Sequence, residues 1–286
     1  MRLFRTGLLA LSALLGGCRG CDEAAQEQGA KTVVVRGSDT MIVLAQRWAE
    51  AYRRERPQIR LQVSGGGSGT GLAALENGTT DVATASRAIT SAERARIRQQ
   101  RGAEVEEARV CLDAIAIYVH PSNPIGHLTI AQLTALFRGH VRSWRELGGS
   151  DRRVVLYSRE SSSGTYAYFK ERVLANYDFA AEAQSLPGTA AVVQAVALDP
   201  GGIGYGGIAR EVGVRVVPIA PADGGEAAHP TAQAAQSGAY PLARPLYAYH
   251  VAPRGGEVEQ FVRWLGSPAA RELALGAGFY PIVEGS

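Results

Sequence analysis

The chain of 286 residues contains few cysteines and no uncharged hydrophobic run long enough to span a bilayer. Its three cysteines are too few for a disulfide scaffold, and neither they nor the five histidines have metal-ligand spacing. We therefore predict no metal and no cofactor. Two states of Cys111 are left open, a disulfide with Cys21 and a packed, reduced thiol.

The sequence also has no large excess of charge. It contains 30 Lys and Arg against 27 Asp and Glu, and removal of Arg2 and Arg5 with a signal peptide would leave 28 basic residues. A nearly neutral chain creates no extended field for nucleic acid or for acidic membranes. We predict that nucleic acid is not a partner and that any preference for anions is local.

The N-terminus has the pattern of an exported protein. Two arginines precede an apolar run from Gly7 to Leu15, which is too short to cross a bilayer. The run ends in Leu15-Gly16-Gly17-Cys18, which resembles a bacterial lipobox. The resemblance implies cleavage before Cys18 and a lipid anchor on its sulfur, and hence a protein attached to the cell envelope. An ordinary signal peptide with an incidental cysteine is the alternative.

Three separated loops combine glycine with hydroxyl side chains. They are residues 37–40, 64–71 and 159–165, and each lies between a strand-like and a helix-like run. The strand-like runs are 32–36, 59–63 and 153–157. Such a unit directs backbone N–H groups and the positive end of a helix at one point, which suits a small anion. The pattern of a phosphate-binding P-loop is absent. We predict one oxyanion site that all three loops share.

Strand-like and helix-like runs alternate along the chain, which predicts α/β sheets that are mixed, mostly parallel and flanked by helices. Ser91, Thr129 and Thr189 are predicted helix N-caps, and 105–109 and 111–119 are two predicted strands. The proline-rich run 120–124 looks like a crossing into a second lobe, and the strand 245–251 like a return. Ligands of such sheets bind at the carboxyl ends of strands, here in the cleft of a two-lobe clamp. The predicted divisions are a signal peptide at 1–17, a lipidated cysteine and tether at 18–31, lobe 1 at 32–118 and 246–286, and lobe 2 at 119–245.

Eight motifs in their order along the chain resemble the substrate-binding lipoproteins of phosphate ABC transporters, a PstS-type family of class II periplasmic binding proteins. The resemblance covers nearly all of the chain after Cys18. The motifs are Gly37-Ser-Asp-Thr40, Gly67-Ser-Gly-Thr-Gly71, Asp81-Val-Ala-Thr-Ala-Ser-Arg87, Leu128-Thr-Ile-Ala-Gln-Leu133 with Trp144, Arg159-Glu-Ser-Ser-Ser-Gly-Thr165, Asp199-Pro-Gly-Gly-Ile-Gly-Tyr205, Tyr240-Pro-Leu-Ala-Arg-Pro-Leu-Tyr247 and Gly278-Phe-Tyr-Pro281.

The resemblance implies that the cleft holds dehydrated inorganic phosphate and that the protein, a monomer, delivers it to an ABC permease and ATPase complex. Carried onto the matching positions, the phosphate contacts on the first jaw are Ser38, Asp39, Thr40, Ser68, Ser86 and Arg87. Those on the second jaw are Arg159, Ser163, Gly164 and Thr165.

The chain departs from better-known members of the family at one selectivity position. Some members have an aspartate at the end of the segment that reads Ser86-Arg87 here. That aspartate accepts a hydrogen bond from protonated phosphate and rejects sulfate. Asp39 could supply the missing acceptor, because sulfate has no proton to donate. Alternatively, or in addition, Asp39 is the N-cap of the following helix.

Other site residues also have simpler interpretations. Arg159 could be a surface residue beside Glu160, although a guanidinium suits a tetrahedral oxyanion. Ser68 could cap its helix without contacting the ligand. Arg87 could contact the ligand or link the jaws through a carboxylate. The serines that precede Ser163 could contact the ligand or shape the turn.

A hydrolase is disfavoured, because Thr70 replaces the second glycine of a Gly-x-Ser-x-Gly nucleophile motif at Ser68. No paired carboxylates or metal ligands indicate a phosphatase. The remaining alternatives keep the fold but change the role. They are the binding of another tetrahedral anion, such as sulfate, molybdate or a phosphonate, and phosphate sensing or scavenging without transport.

Overall fold

A computed structural model describes residues 31–208, 212–251 and 256–282. The predicted signal peptide, Cys18 and Cys21 lie outside these residues. Within them, no helix combines the length and the apolar character that crossing a membrane requires.

The strands are β1 (Lys31–Gly37), β2 (Ile59–Ser64), β3 (Val82–Ala85), β4 (Val105–Val119), β5 (Leu128–Thr129), β6 (Val155–Arg159), β7 (Gln184–Leu186), β8 (Gly202–Gly207), β9 (Arg215–Val217), β10 (Ile219–Ala220) and β11 (Ala243–Val251). The helices are α1 (Ile42–Glu55), α2 (Ser68–Glu76), α3 (Ser91–Arg101), α4 (Ile130–Phe137), α5 (Gly164–Arg172), α6 (Gly188–Leu198), α7 (Ala232–Ser237), α8 (Glu257–Trp264) and α9 (Pro268–Gly276), with a 3-10 turn at Trp144–Leu147.

One long sheet runs through the described residues in the order β2-β1-β3-β11-β4-β8-β6-β7, with β9 also paired to β4. The pairs of β1 with β2 and β3 are parallel, as are those of β6 with β7 and β8. The pairs that involve β4 or β11 are antiparallel. The predicted α/β fold with mixed sheets is confirmed.

Strand β4 joins the two halves of the sheet. Its residues up to Ala114 pair with β11, and those from Ile115 onward pair with β8 and β9. We call the half with β1–β3, α1–α3, α8 and α9 the first lobe, and the half with β5–β10 and α4–α7 the second lobe. The sequence predicted two strands here, but the structure has one, because it continues through Val110 from one half into the other.

Each lobe has its own hydrophobic core. The first contains Val33, Val35, Leu44, Trp48, Cys111, Leu246 and Phe261. The second contains Leu133, Phe137, Trp144, Leu156, Phe169 and Tyr205. Cys111 is a buried free thiol, and burial raises its pKa well above the ordinary value.

Two of the three predicted helix caps are wrong. Thr129 caps α4 as expected. Helix α3, however, is capped by Thr90 rather than Ser91, because Thr90 and Glu93 satisfy each other's backbone N–H groups in a capping box. Thr189 lies inside the first turn of α6, which follows Pro187, and its hydroxyl contacts Arg159 instead.

Candidate functional site

The loop between β1 and α1 forms the centre of the first jaw. The backbone N–H of Ser38 donates to the carbonyl and the hydroxyl of Thr84, at 2.9 and 3.1 Å, which fixes the loop over the end of β3. The Ser38 side chain is buried, and its Oγ has no hydrogen-bond partner among the described residues. A buried hydroxyl without a partner is costly, so this group is suited to a ligand.

Asp39 joins this loop to the next one. Its Oδ1 accepts from the backbone N–H of Gly66 at 2.9 Å. The N-cap of α1 is Met41, which makes no side-chain cap, so the interpretation of Asp39 as a helix cap is wrong. The carboxylate faces the cleft side of the loop, where its Oδ2 lies 3.3 Å from Arg159.

Ser68 and Ser86 form a second pair of hydroxyls on the first jaw. Both are buried, and their Oγ atoms are 3.3 Å apart. The backbone N–H of Ser86 donates to Ser68 Oγ at 3.0 Å. Ser68 is the first residue of α2 and its N-cap is Gly67, so the alternative that Ser68 only caps its helix is wrong.

The second jaw is the turn from β6 into α5. Ser163 caps α5, and its Oγ accepts from the backbone N–H groups of Thr165 and Tyr166 at 3.2 and 3.3 Å. Gly164 is the first helical residue. The positive end of α5 therefore points at the cleft, as the loop pattern predicted.

Arg159, the last residue of β6, is the charged centre of the cleft. Its side chain is only 1% exposed, so the surface interpretation is wrong. Nη2 lies 3.3 Å from Asp39 Oδ2 and 2.9 Å from Glu160 Oε1. Nη1 donates to Thr189 Oγ1 at 3.2 Å. The guanidinium is thus held by both lobes at the place where they meet.

The two jaws touch directly. Thr40 Oγ1 and Thr165 Oγ1 are 2.9 Å apart, and the backbone N–H of Gly69 donates to the carbonyl of Ser162 at 2.9 Å. Glycine is required on the first jaw, because a β-carbon at Gly67 would lie 2.5 Å from that carbonyl. The cleft is therefore closed. Ser162 takes part in this contact through its backbone carbonyl, whereas Ser161 is exposed.

Arg87 lies at the rim of the first jaw and forms an ion pair. Its Nη1 and Nη2 donate to the two carboxylate oxygens of Glu93 at 2.8 and 2.6 Å. Glu93 belongs to the same lobe, so this pair does not link the jaws. The alternative that Arg87 bridges them through a carboxylate is wrong, and direct contact with a ligand stays a prediction.

The Arg87–Glu93 pair should make stability depend on pH in acid. Burial raises the pKa of Glu93, but hydrogen bonds from Arg87 and Thr90 outweigh this and lower it from 4.5 to about 2. A carboxyl with a depressed folded pKa stabilises the fold above its unfolded pKa, and this contribution is lost as pH falls through the folded value. We expect Glu93→Gln to lower the free energy of unfolding near pH 7, with the difference from wild type shrinking between about pH 4.5 and about 2. Denaturant titrations across that range measure it, and a constant difference would contradict the pairing.

Three contacts of the site involve residues that were not among the predicted ligand contacts. Thr189 holds Arg159, Thr84 holds Ser38, and Arg244 donates from Nη2 to Thr165 Oγ1 at 2.8 Å. Thr84 was detectable, because it belongs to the strand that ends at Ser86-Arg87. Neither Thr189 nor Arg244 lies in a loop that follows a strand, so that pattern could not find them.

Comparison with known proteins gives the family. The model of the PBP superfamily domain matches residues 22–269. The phosphate-binding protein PstS of Pseudomonas aeruginosa is 35% identical over 263 residues, which cover 86% of this chain and 81% of that protein. The chain belongs to the PstS-type family of this superfamily.

Further relatives agree with this assignment. The phosphate-binding protein PstS of Staphylococcus saprophyticus is 29% identical, with 87% of this chain and 79% of that protein covered. The crystal structure of an ABC-type phosphate transport receptor from Vibrio cholerae superimposes with a TM-score of 0.71 at 25% identity, covering 87% of this chain and 99% of that one. The two-lobe fold predicted for a PstS-type protein is confirmed, and the family is one of substrate-binding proteins rather than of enzymes.

Proposed function

We propose that this protein binds inorganic phosphate in the cleft between its lobes and delivers it to an ABC permease and ATPase complex for phosphate import. The observation that carries the proposal is Arg159, a buried guanidinium where the two jaws meet, held by Asp39 of the first and by Thr189 of the second. Its charged N–H groups lie where the two jaws meet, and a guanidinium is a strong hydrogen-bond donor to phosphate oxygens. The names of the relatives identify phosphate as the candidate anion.

The proposed ligand contacts come from both jaws. The first supplies the unpartnered Ser38 hydroxyl with Asp39, Thr40, Ser68 and Ser86, and the second supplies Arg159, Ser163, Gly164 and Thr165. Hydroxyls and N–H groups at helix starts suit a tetrahedral anion without its water. Arg87 is proposed only as a rim contact, because Glu93 already holds its guanidinium.

Calorimetric titration tests the function directly. The chain expressed without residues 1–17 and stripped of bound phosphate is titrated with phosphate and then with sulfate. The proposal expects tight one-to-one binding of phosphate and little binding of sulfate. Preference for sulfate, or no binding of either, would move the function to another oxyanion or to a role other than phosphate transport.

Asp39 is the proposed selectivity residue. Its carboxylate can accept the proton of hydrogen phosphate, whereas it repels sulfate, which has no proton to donate. We expect Asp39→Asn to lower the ratio of phosphate to sulfate affinity by about tenfold or more, since a hydrogen bond to a charged group is at stake. The asparagine keeps an oxygen that can accept from Gly66. Calorimetry with both anions measures the ratio.

Glu160→Gln is the matched control for this experiment. It removes the other carboxylate that pairs with Arg159 at 2.9 Å. If Asp39 only neutralises Arg159, both variants change the two affinities by equal factors and the ratio stays constant. A constant ratio in Asp39→Asn would therefore refute the selectivity role of Asp39, and it would leave the proposal that the protein binds phosphate intact.

Closure of the lobes is the proposed signal to the permease. A ligand that bridges the jaws favours the closed form only through contacts that the open form lacks, and Arg159 and Thr165 would supply them from the second jaw. The predicted lobe boundaries, 32–118 with 246–286 and 119–245, belong to this proposal. The structural feature nearest to the proposed boundary at 118/119 is in β4, which pairs with β11 up to Ala114 and with β8 from Ile115 onward.

We further propose an exported, monomeric protein anchored to the envelope by lipid on Cys18, without enzymatic activity. The anchor rests on the lipobox resemblance at residues 15–18 alone. Labelling with palmitate that is lost in Cys18→Ser tests the anchor, and hydrolysis of a phosphate ester by the purified protein would contradict the absence of catalysis.

A further inference from the structure

A buried ion pair joins the two long strands that carry the chain between the lobes. Arg244 of β11 and Asp113 of β4 are direct cross-strand partners. The Arg244 Nη2 and Nε atoms lie 2.9 and 3.2 Å from Asp113 Oδ2, and both side chains are at most 1% exposed. The pair lies next to Ala114, after which β4 leaves β11 for the second half of the sheet.

The same guanidinium contacts α5 at two points. Nη2 donates to Thr165 Oγ1 at 2.8 Å, and the guanidinium carbon lies 5.4 Å from the centre of the Tyr168 ring. The two residues are three positions apart and therefore share one face of the helix. Arg244 thus fixes the first turn of α5 against the connecting strands.

The direction of this hydrogen bond determines what Thr165 can do. A guanidinium has donors only, so Thr165 Oγ1 accepts from Arg244. The proton of the Thr165 hydroxyl must then be directed elsewhere, and Thr40 Oγ1 is its neighbour at 2.9 Å. A threonine held in this way is a donor toward the cleft, which is the role that an anion requires.

We propose that Arg244 is a positioning residue for the anion, because it holds the Thr165 hydroxyl as a donor toward the cleft. This inference rests on the proposed phosphate site. Stability alone is a weak reason for such a pair, because a buried ion pair often contributes no more than well-packed apolar residues would. The Nη1 atom of Arg244 also has no hydrogen-bond partner among the described residues, so the ion pair leaves one buried donor unsatisfied.

A double-mutant cycle on phosphate affinity tests the inference. In the wild-type background, Arg244→Gln should weaken the binding of inorganic phosphate by about tenfold, the size of one charged hydrogen bond. In a Thr165→Val background the same change should alter the Kd by less than about twofold, because the hydroxyl through which Arg244 acts is gone. In a Thr165→Ser background the hydroxyl remains and the sensitivity to Arg244→Gln should return.

Two further variants keep the result interpretable. Arg244→Gln leaves Asp113 unpaired in the core, so Asp113→Asn combined with Arg244→Gln replaces it if the single variant does not fold by circular dichroism. Arg215→Gln removes another arginine that bonds to backbone carbonyls, those of Asn123 and Ile125, and should leave the Kd unchanged. Equal loss from Arg244→Gln in the valine and wild-type backgrounds would overturn the positioning role. Failure of the wild-type protein to bind phosphate would instead overturn the proposed function.

Discussion

Replacing Arg159 with alanine should weaken phosphate binding by about 10- to 150-fold, which corresponds to the 1.5–3 kcal/mol of a charged hydrogen bond. The value should lie toward the upper end, because the substitution also leaves Asp39 and Glu160 as unneutralised carboxylates beside an incoming anion. Repulsion between like charges in a partly buried site then adds to the lost attraction. Calorimetric titration with inorganic phosphate measures the change.

Two variants accompany this experiment. Arg159→Lys keeps the charge but loses the planar fork of donors, so it should recover only part of the affinity. Arg145→Ala removes an arginine of the same lobe whose side chain is 76% exposed, and phosphate affinity should not change. Near-wild-type affinity in Arg159→Ala, with the fold intact by circular dichroism, would refute the assignment of this residue to the ligand.

The convergence of the loops was predictable from the sequence. Ligands of open α/β sheets bind at the carboxyl ends of strands, so the loops after β1 and β2 on one jaw and after β6 on the other were expected to face one cleft. The structure brings together Asp39 and Arg159, which are 120 residues apart, as well as Thr40 and Thr165. The residue types at strand ends were therefore enough to predict that these loops come together, and their contact with a ligand stays a prediction.

The support behind these residues was not predictable in the same way. Arg244 reaches Asp113 only through the antiparallel register of β11 with β4, and that register shifts at a bulge between Leu246 and Tyr247. No local pattern specifies a register that pairs residues 131 positions apart in the chain. Thr189 was assigned to a helix cap because a threonine before an apolar run favours one, but Pro187 and Gly188 start the helix earlier.

Both phosphate binding and the proposed signal to the permease depend on closure of the lobes. The jaws contribute donors from separate lobes, so neither jaw alone surrounds an anion. The contacts that close the cleft are short and involve small residues, such as the N–H of Gly69 on the carbonyl of Ser162. Added volume at this interface should therefore act on binding more than on folding.

Replacing Gly164 with alanine should prevent closure and weaken phosphate binding by about 5- to 150-fold, the equivalent of 1–3 kcal/mol of overpacking. A β-carbon at Gly164 would lie 2.7 Å from Ser86 Oγ and closer still to Ser68 Oγ. Both serines belong to the opposite lobe, so the methyl group collides only in the closed form. Alanine is also a better helix former than glycine, so the second lobe should fold normally.

Small-angle scattering and calorimetry together separate closure from simple loss of a contact. The wild-type radius of gyration should decrease when phosphate is added, whereas that of Gly164→Ala should stay at the open value. Gly126→Ala is the matched control, because a β-carbon there meets no atom within 4 Å. If Gly164→Ala closes and binds as the wild type does, the jaws do not approach each other in solution as the structure has them, and the bridging role of Arg159 and Thr165 would have to be abandoned.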